Sequence, residues 1–230
     1  PASPGPEVWV VRQAAEPYDL TRAPLYRVVL VKTGRGAGYL LFCMHHIITD
    51  GWSMEILKKE FTRVSLARGN RDKYGLEPVK LQYKDYSTWQ NRSQEDPLIK
   101  EKTHRYWKRK LAGGIPLLEI PADYGAGKGR NRGAGYIHPV DLDITEGLKQ
   151  LARQQNTTLS TVLLSAYLIL LAKLCRSREV ICALISAERN HKSLAGIVGI
   201  FTGPVMIVNR VNPQDTLVDI LDRVGKEVME

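Results

Sequence analysis

The run Tyr39-Leu40-Leu41-Phe42-Cys43-Met44-His45-His46-Ile47-Ile48-Thr49-Asp50-Gly51 is the most informative stretch of the chain. Its first six residues are almost wholly apolar, which predicts a central strand covered on both faces. Two histidines end the strand, and a short turn holding Asp50 follows. After Gly51 the hydrophobic period changes to that of a helix starting near Trp52 or Ser53. Adjacent strand residues point to opposite faces, so His45 and His46 are expected to do different jobs. A neutral imidazole, with a pKa of about 6.5, accepts or donates a proton near neutrality. The helix start behind the histidines points N–H groups and a positive dipole end toward them, a setting that suits a developing oxyanion. On the residues alone a plainer reading stands beside this one: two core histidines, one bonded to Asp50. Cys43 shares a face with His45, but inside LLFCM it reads as an inert core thiol. No second His/Cys cluster is present to complete a zinc site, so no metal is expected.

Working outward, Tyr26–Thr33 and Tyr39–Met44 are β-rich runs separated by Gly34-Arg35-Gly36-Ala37-Gly38, a hairpin signal. Ile56, Leu57, Phe61 and Val64 recur at helical spacing beyond Gly51. Residues 92–110, with seven Lys/Arg against three Asp/Glu, predict one amphipathic helix anchored by Tyr106, Trp107 and Leu111. Met44, Trp89 and Trp107 read as packing residues. Gly125–Gly135 holds five glycines and no phosphate-loop motif, so it predicts a connection between domains. Beyond it, Ile144, Leu148 and Leu151 define a helix with Asp143 and Glu146 as a variant capping box. Leu159–Leu174 is apolar nearly all round and predicts a buried helix. Glu179–Ser186 and Pro204–Val211 read as strands, and Leu217 to Val228 as a last amphipathic helix beginning near Asp215 or Thr216.

Composition bounds the class. The chain has 230 residues, 43% hydrophobic and 25% charged, as ordinary globular proteins have. Thirty-three Lys/Arg against 24 Asp/Glu give a net charge of +9. That excess suits nucleic acid, an anionic membrane face or an acidic protein. Three cysteines without a CxxC pair make no disulfide framework and fit a reducing cytoplasm. Pro1–Glu7 has neither the basic start nor the apolar run of a signal peptide. Val162–Ala172 is well short of the ~20 residues that span a bilayer.

His45–Gly51 matches HHxxxDG in full, and the chain around it resembles the condensation domain family of nonribosomal peptide synthetases. PYDLTRAPL at Pro17–Leu25 is similar to that family's P-[FY]-D-L-x-x-x-P-L stretch. LQYKDYSTWQ at Leu81–Gln90 is similar to its Q-Y-x-D-[YF]-x-x-W-Q signature. Tyr106-Trp107 with LLEIPAD at Leu117–Asp123 resembles its YW…LLELPxD segment, and Val198-Gly199-Ile200-Phe201 its VGxF motif. The motifs occur in the family's order from about Pro17 onward. HHxxxDG alone is shared with other acyltransferases, whereas the set is specific.

The resemblance implies an α/β fold of two chloramphenicol-acetyltransferase-like lobes with mixed sheets flanked by helices. Residues 1–124 would be the later part of the first lobe, 125–135 the connection, and 136–230 the early part of the second. The chain then reads as an interior section of a longer enzyme. The implied activity is amide-bond formation between a carrier-bound thioester donor and the amine of a carrier-bound acceptor, in the cytoplasm. No cofactor is bound directly; substrates arrive on the 4'-phosphopantetheine of upstream and downstream carrier proteins, beside an adenylation domain. Neither nucleic acid nor membrane is an expected partner. In this reading His46 orients the amine and takes its proton, and Gly51 offers its N–H and a sharp turn where a side chain would intrude. His45 is a structural partner. Asp50 is a structural residue in a buried salt bridge, with Arg189 as its candidate partner. The alternatives are a carrier-independent acyltransferase using acyl-CoA and a non-catalytic docking domain. Four positions depart from the family's pattern: Gly203-Pro204 where Asn-Thr is usual, and Ala183 and Glu188 where glycines are common.

Overall fold

The computed structural model describes residues 5–34, 36–76, 78–122 and 135–229. It has an α/β architecture whose elements divide into two compact units, residues 1–99 with 186–203 and residues 100–185 with 204–230. The units interleave along the chain. The expected connection at 125–135 falls, apart from Gly135, outside the described residues.

The first unit opens on α1 (Pro6–Ala15), a helix that the sequence reading did not anticipate. Its first residue is a proline, whose ring suits a helix start because that N–H has no intrahelical partner. β1 (Tyr26–Gly34) and β2 (Ala37–Met44) pair antiparallel, with Val28 opposite Phe42 and Leu30 opposite Leu40. Gly36 sits at the turn with φ +79°, a conformation that glycine adopts without steric cost. The expectation of a strand covered on both faces is corrected here. Among the described residues this sheet has two strands, and Val28, Leu30 and Tyr39 remain 50%, 61% and 46% exposed.

α2 (Gly51–Leu66) follows a single 3₁₀ turn at His46–Ile48. The basic helix expected over 92–110 is two helices, α3 (Tyr83–Glu95) and α4 (Pro97–Lys110). Pro97 has no N–H to give and disfavours helical geometry at Asp96, so the helix stops although the amphipathic pattern runs on. Asp96 accepts the Leu98 N–H at 2.8 Å and starts the new helix. Trp89 packs rather than being buried: it is exposed, and its ring lies tilted against Tyr86 with centroids 5.9 Å apart. Among the described residues Tyr86, Ile197 and Phe201 form a small apolar cluster in this unit, with Tyr83 and Leu194 against them.

In the second unit α5 (Leu142–Gln154) begins after Asp141, whose side chain makes no capping bond, while Glu146 pairs with Lys149 at 2.8 Å. The anticipated capping box is therefore absent, because the helix starts at Leu142 and Asp143 lies inside its first turn instead of at the cap. α6 (Leu159–Leu174) is capped by Thr158, which accepts the Thr161 N–H at 3.1 Å. Leu168, Leu171 and Ala172 are buried, but Leu163, Tyr167 and Leu170 are about half exposed, so the helix is buried along one stripe only. β3 (Glu179–Ser186) and β4 (Gly203–Arg210) form the second two-stranded sheet. α7 (Leu217–Met229) starts beyond Thr216, which shares reciprocal bonds with Asp219. Leu168, Leu171, Val180, Ile207, Ile220 and Val224 make one apolar core. Ala152, Val162 and Leu221 make a second. Fully burying a Leu or Val side chain stabilises by roughly 1.5–3 kcal/mol, so apolar packing dominates this unit. Among the described residues no single helix is long and apolar enough to cross a membrane; one bent pair, α5 with α6, passes by length and composition alone.

Candidate active site

β2 ends at Met44, so strand alternation does not extend to the two histidines. His45 instead caps the 3₁₀ turn: its Nδ1 accepts the Ile47 N–H at 3.1 Å. An Nδ1 that accepts a hydrogen bond leaves the ring proton of the neutral imidazole on Nε2. The His45 ring also lies edge-on to Tyr18, with centroids 6.0 Å apart, and its backbone N–H reaches Leu25 O at 3.0 Å. His46, one residue on, is exposed. The two histidines do differ, but because one closes a turn that the other rides on.

Asp50 is the N-cap of α2, so the helix begins one or two residues earlier than expected. Its Oδ1 accepts the Ser53 N–H at 2.7 Å and its Oδ2 accepts the Phe201 N–H at 3.0 Å. Arg189 Nη2 donates to both oxygens, at 3.3 and 3.4 Å. The two side chains are 1% and 3% exposed, so this is a buried ion pair, not a histidine–aspartate contact. Burial pushes the Asp50 carboxyl upward. The N–H groups of Phe201 and Ser53 and the Arg189 charge outweigh it and hold the carboxyl below its ordinary value. Both Asp50 carboxylate oxygens are thus occupied by donors.

Arg189 is the hub of this network. Nη1 donates to Leu194 O at 2.6 Å and Ile197 O at 2.8 Å, Nη2 reaches Ser53 Oγ at 3.0 Å, and the guanidinium lies over the Phe201 ring at 3.9 Å. Ser53 completes the knot. Its hydroxyl donates to Gly199 O at 2.8 Å and accepts from Gly199 N at 3.0 Å, besides receiving Arg189. One donor and two acceptor positions are all used, as a fully buried hydroxyl requires. The Trp52 indole donates to Ala195 O at 2.9 Å, adding a second tie from the first turn of α2 to the same loop.

The signature around Tyr83 serves this loop as well. Gln82 and Asp85 form a capping box that starts α3, and the Tyr83 hydroxyl donates to Ile200 O at 2.7 Å. A Cβ on Gly199 would lie 2.1 Å from the Tyr83 ring, so only glycine fits there. Gly51 is a different case. It is exposed, its φ is not in the left-handed region, and a Cβ there would meet no atom of the chain. The expected intrusion of a side chain is thus not onto the protein itself; the glycine leaves open the space in front of the α2 N-terminus.

Sequence reasoning paired Asp50 with Arg189, and the structure places them in contact. It missed Ser53, Tyr83 and the main chain of 194–201 as parts of the same knot. A buried serine three residues after an N-cap aspartate was the available signal. The departures have a local consequence too. Glu188 takes φ +43°, which glycine adopts without cost, and a Cβ on Gly203 would meet its Oε1 at 2.6 Å.

The sequence profile of the condensation domain matches residues 6–230. Surfactin synthase subunit 1 of Bacillus subtilis (strain 168) is 35% identical over 214 residues, 93% of this chain and 6% of that protein. Tyrocidine synthase 3 of Brevibacillus parabrevis is 33% identical over 221 residues, 96% of this chain and 3% of that one. Among solved structures, the first condensation domain of the calcium-dependent antibiotic synthetase superposes with TM-score 0.74 at 18% identity, over 97% of this chain and 49% of that chain. The X-domain from teicoplanin biosynthesis gives TM-score 0.81 at 21% identity, over 97% and 52%. The chain therefore spans under a tenth of these curated relatives and about half of these solved chains. These likenesses show the α/β fold of condensation domains, which is chloramphenicol-acetyltransferase-like.

Proposed function

Since this chain belongs to the condensation domain family, we propose that it supplies the histidine motif for amide-bond formation between two carrier-bound substrates in nonribosomal peptide synthesis. The donor is an acyl, aminoacyl or peptidyl thioester and the acceptor an amine, each carried on 4'-phosphopantetheine by an upstream or downstream carrier protein. An adjacent adenylation domain and a cytoplasmic setting belong to the same proposal. So does the assignment of residues 1–124 and 136–230 to successive lobes. The chain's net charge of +9 suits an acidic carrier.

The chemistry asks little of a base. A thioester is an activated acyl donor, and an α-amino group with a pKa of about 7.7–8.0 is partly neutral near pH 7.5. Holding the two together lowers the barrier by making the reaction effectively unimolecular. His46 orients the amine and takes its proton as the C–N bond forms. The tetrahedral intermediate then expels the pantetheine thiolate as the C–S bond breaks, and the Gly51 N–H faces the developing oxyanion. One observation carries this division of labour. The Asp50 carboxylate is filled by Ser53, Phe201 and Arg189, whereas His46 stands exposed on the turn beside it.

The test is transfer between loaded donor and acceptor carriers with the chain in its full-length protein. His46→Ala is expected to cut transfer by about 10²–10⁴-fold in a protein that stays folded. Unchanged transfer would remove the role given to His46. Turnover with soluble acyl-CoA and no carrier would favour the carrier-independent alternative, and carrier binding without transfer would favour the docking one.

A further inference from the structure

The knot around Arg189 fixes the histidine turn from its C-terminal side. The N-terminal side has its own anchor, built from residues that the reading of the motif did not use. The Tyr18 hydroxyl donates to Cys43 O at 2.8 Å, two residues before His45. The edge-on contact of the same ring with the His45 imidazole, 82° between planes, limits the swing of that side chain. Its face carries the Arg27 guanidinium, 4.1 Å from the ring centroid. Arg27 in turn reaches Gln13 O at 3.1 Å and Glu16 O at 2.5 Å, so it grips the C-terminal end of α1. Cys43 is the strand partner of Arg27 in the hairpin, so the stack sits across one rung of the β1–β2 ladder.

We propose that Tyr18 is a positioning residue for the reaction: it fixes the end of β2 and the His45 ring, and through them the turn that presents His46. The inference rests on the role proposed for His46. The physical path is short. Tyr18 holds His45 where its Nδ1 meets the Ile47 N–H, and that bond closes the turn containing His46. A His45 ring free to rotate would release the Ile47 N–H and let the turn open. His46 would then spend less time where an amine could be met, and displacement by about 1 Å is enough to cost two orders of magnitude in rate. Arg27 stiffens Tyr18 through the cation–π contact, which is worth more when partly desolvated.

Two readouts in parallel test this. One is hydrogen–deuterium exchange at the Ile47 amide, which donates to His45 Nδ1. The other is carrier-to-carrier transfer, both measured in the intact protein. With Tyr18→Leu the Ile47 amide should exchange about tenfold faster, and kcat should fall about tenfold while KM stays within about twofold. A folded Tyr18→Leu protein that keeps either the wild-type kcat or the wild-type exchange rate at Ile47 overturns the proposal. Should that variant not fold, Tyr18→Phe decides. Loss of the bond to Cys43 alone should lower kcat about threefold at unchanged KM, and a wild-type kcat overturns it. His46→Ala is run beside them. If it transfers at the wild-type rate, the role of His46 fails, while exchange at the Ile47 amide still judges the hold of Tyr18 on His45.

Discussion

Each of the two units is stabilised internally by different physics. In residues 100–185 with 204–230, six large apolar side chains from α6, β3, β4 and α7 meet in one core, and several are wholly buried. In residues 1–99 with 186–203 the apolar cluster among the described residues has three buried members, and beside it lies a buried polar knot of Asp50, Ser53 and Arg189. Apolar packing is tolerant of shape, because neighbouring methyl groups can shift by fractions of an ångström. A hydrogen-bonded ion pair tolerates much less, since each lost partner leaves a buried charge or dipole unpaid by water. The unit that presents the histidines is thus the one specified by direction as well as by volume.

Three substitutions or conditions can break or sharpen this contrast. The largest effect is expected from Asp50→Ala, which leaves the Arg189 charge buried without its partner. It should destabilise by about 3–5 kcal/mol in urea unfolding. A loss under about 1 kcal/mol, the scale of an exposed pair, would mean that packing holds the first unit too. Next comes Leu168→Ala in the apolar unit, expected to cost about 2–5 kcal/mol through lost burial and a residual cavity. Its cost should be the same at pH 7 and at acid pH, because no titrating group is involved. The smallest effect is the acid dependence contributed by Asp50 itself. Its folded pKa lies below the unfolded value of about 3.9, so its stabilisation is complete above that pH and is lost as pH falls through the folded pKa. Thermal unfolding of wild type and Asp50→Asn between pH 7 and 2 reports it. The two curves should converge as the pH drops, and a constant gap would remove Asp50 from the acid response.

Much of the second unit was legible because its forces leave a periodic trace. Leu159–Leu174 and Leu217–Met229 announce themselves through spacing alone, and their bounds agree with expectation to within a residue or two. The first unit was legible in its motifs but not in its wiring. Arg189 entered as the partner of Asp50 through resemblance, since a separation of 139 positions leaves no local signal. Ser53, Gly199 and Phe201 act through main-chain bonds 146 to 151 residues away in sequence, which no hydrophobic pattern records. The break at Asp96 was hidden for the opposite reason: the charge pattern continued straight through Pro97.

Loops are ordinarily where a chain accepts extra residues without harm. The stretch from Leu194 to Phe201 should be an exception. Leu194 O and Ile197 O belong to Arg189, both main-chain groups of Gly199 to Ser53, Ile200 O to Tyr83 and the Phe201 N–H to Asp50. A single inserted residue would put at least two of these out of register at once. Though it contains no strand and only the last residue of a 3₁₀ turn (Lys192–Leu194), this segment has a length set as strictly as that of a strand within a sheet.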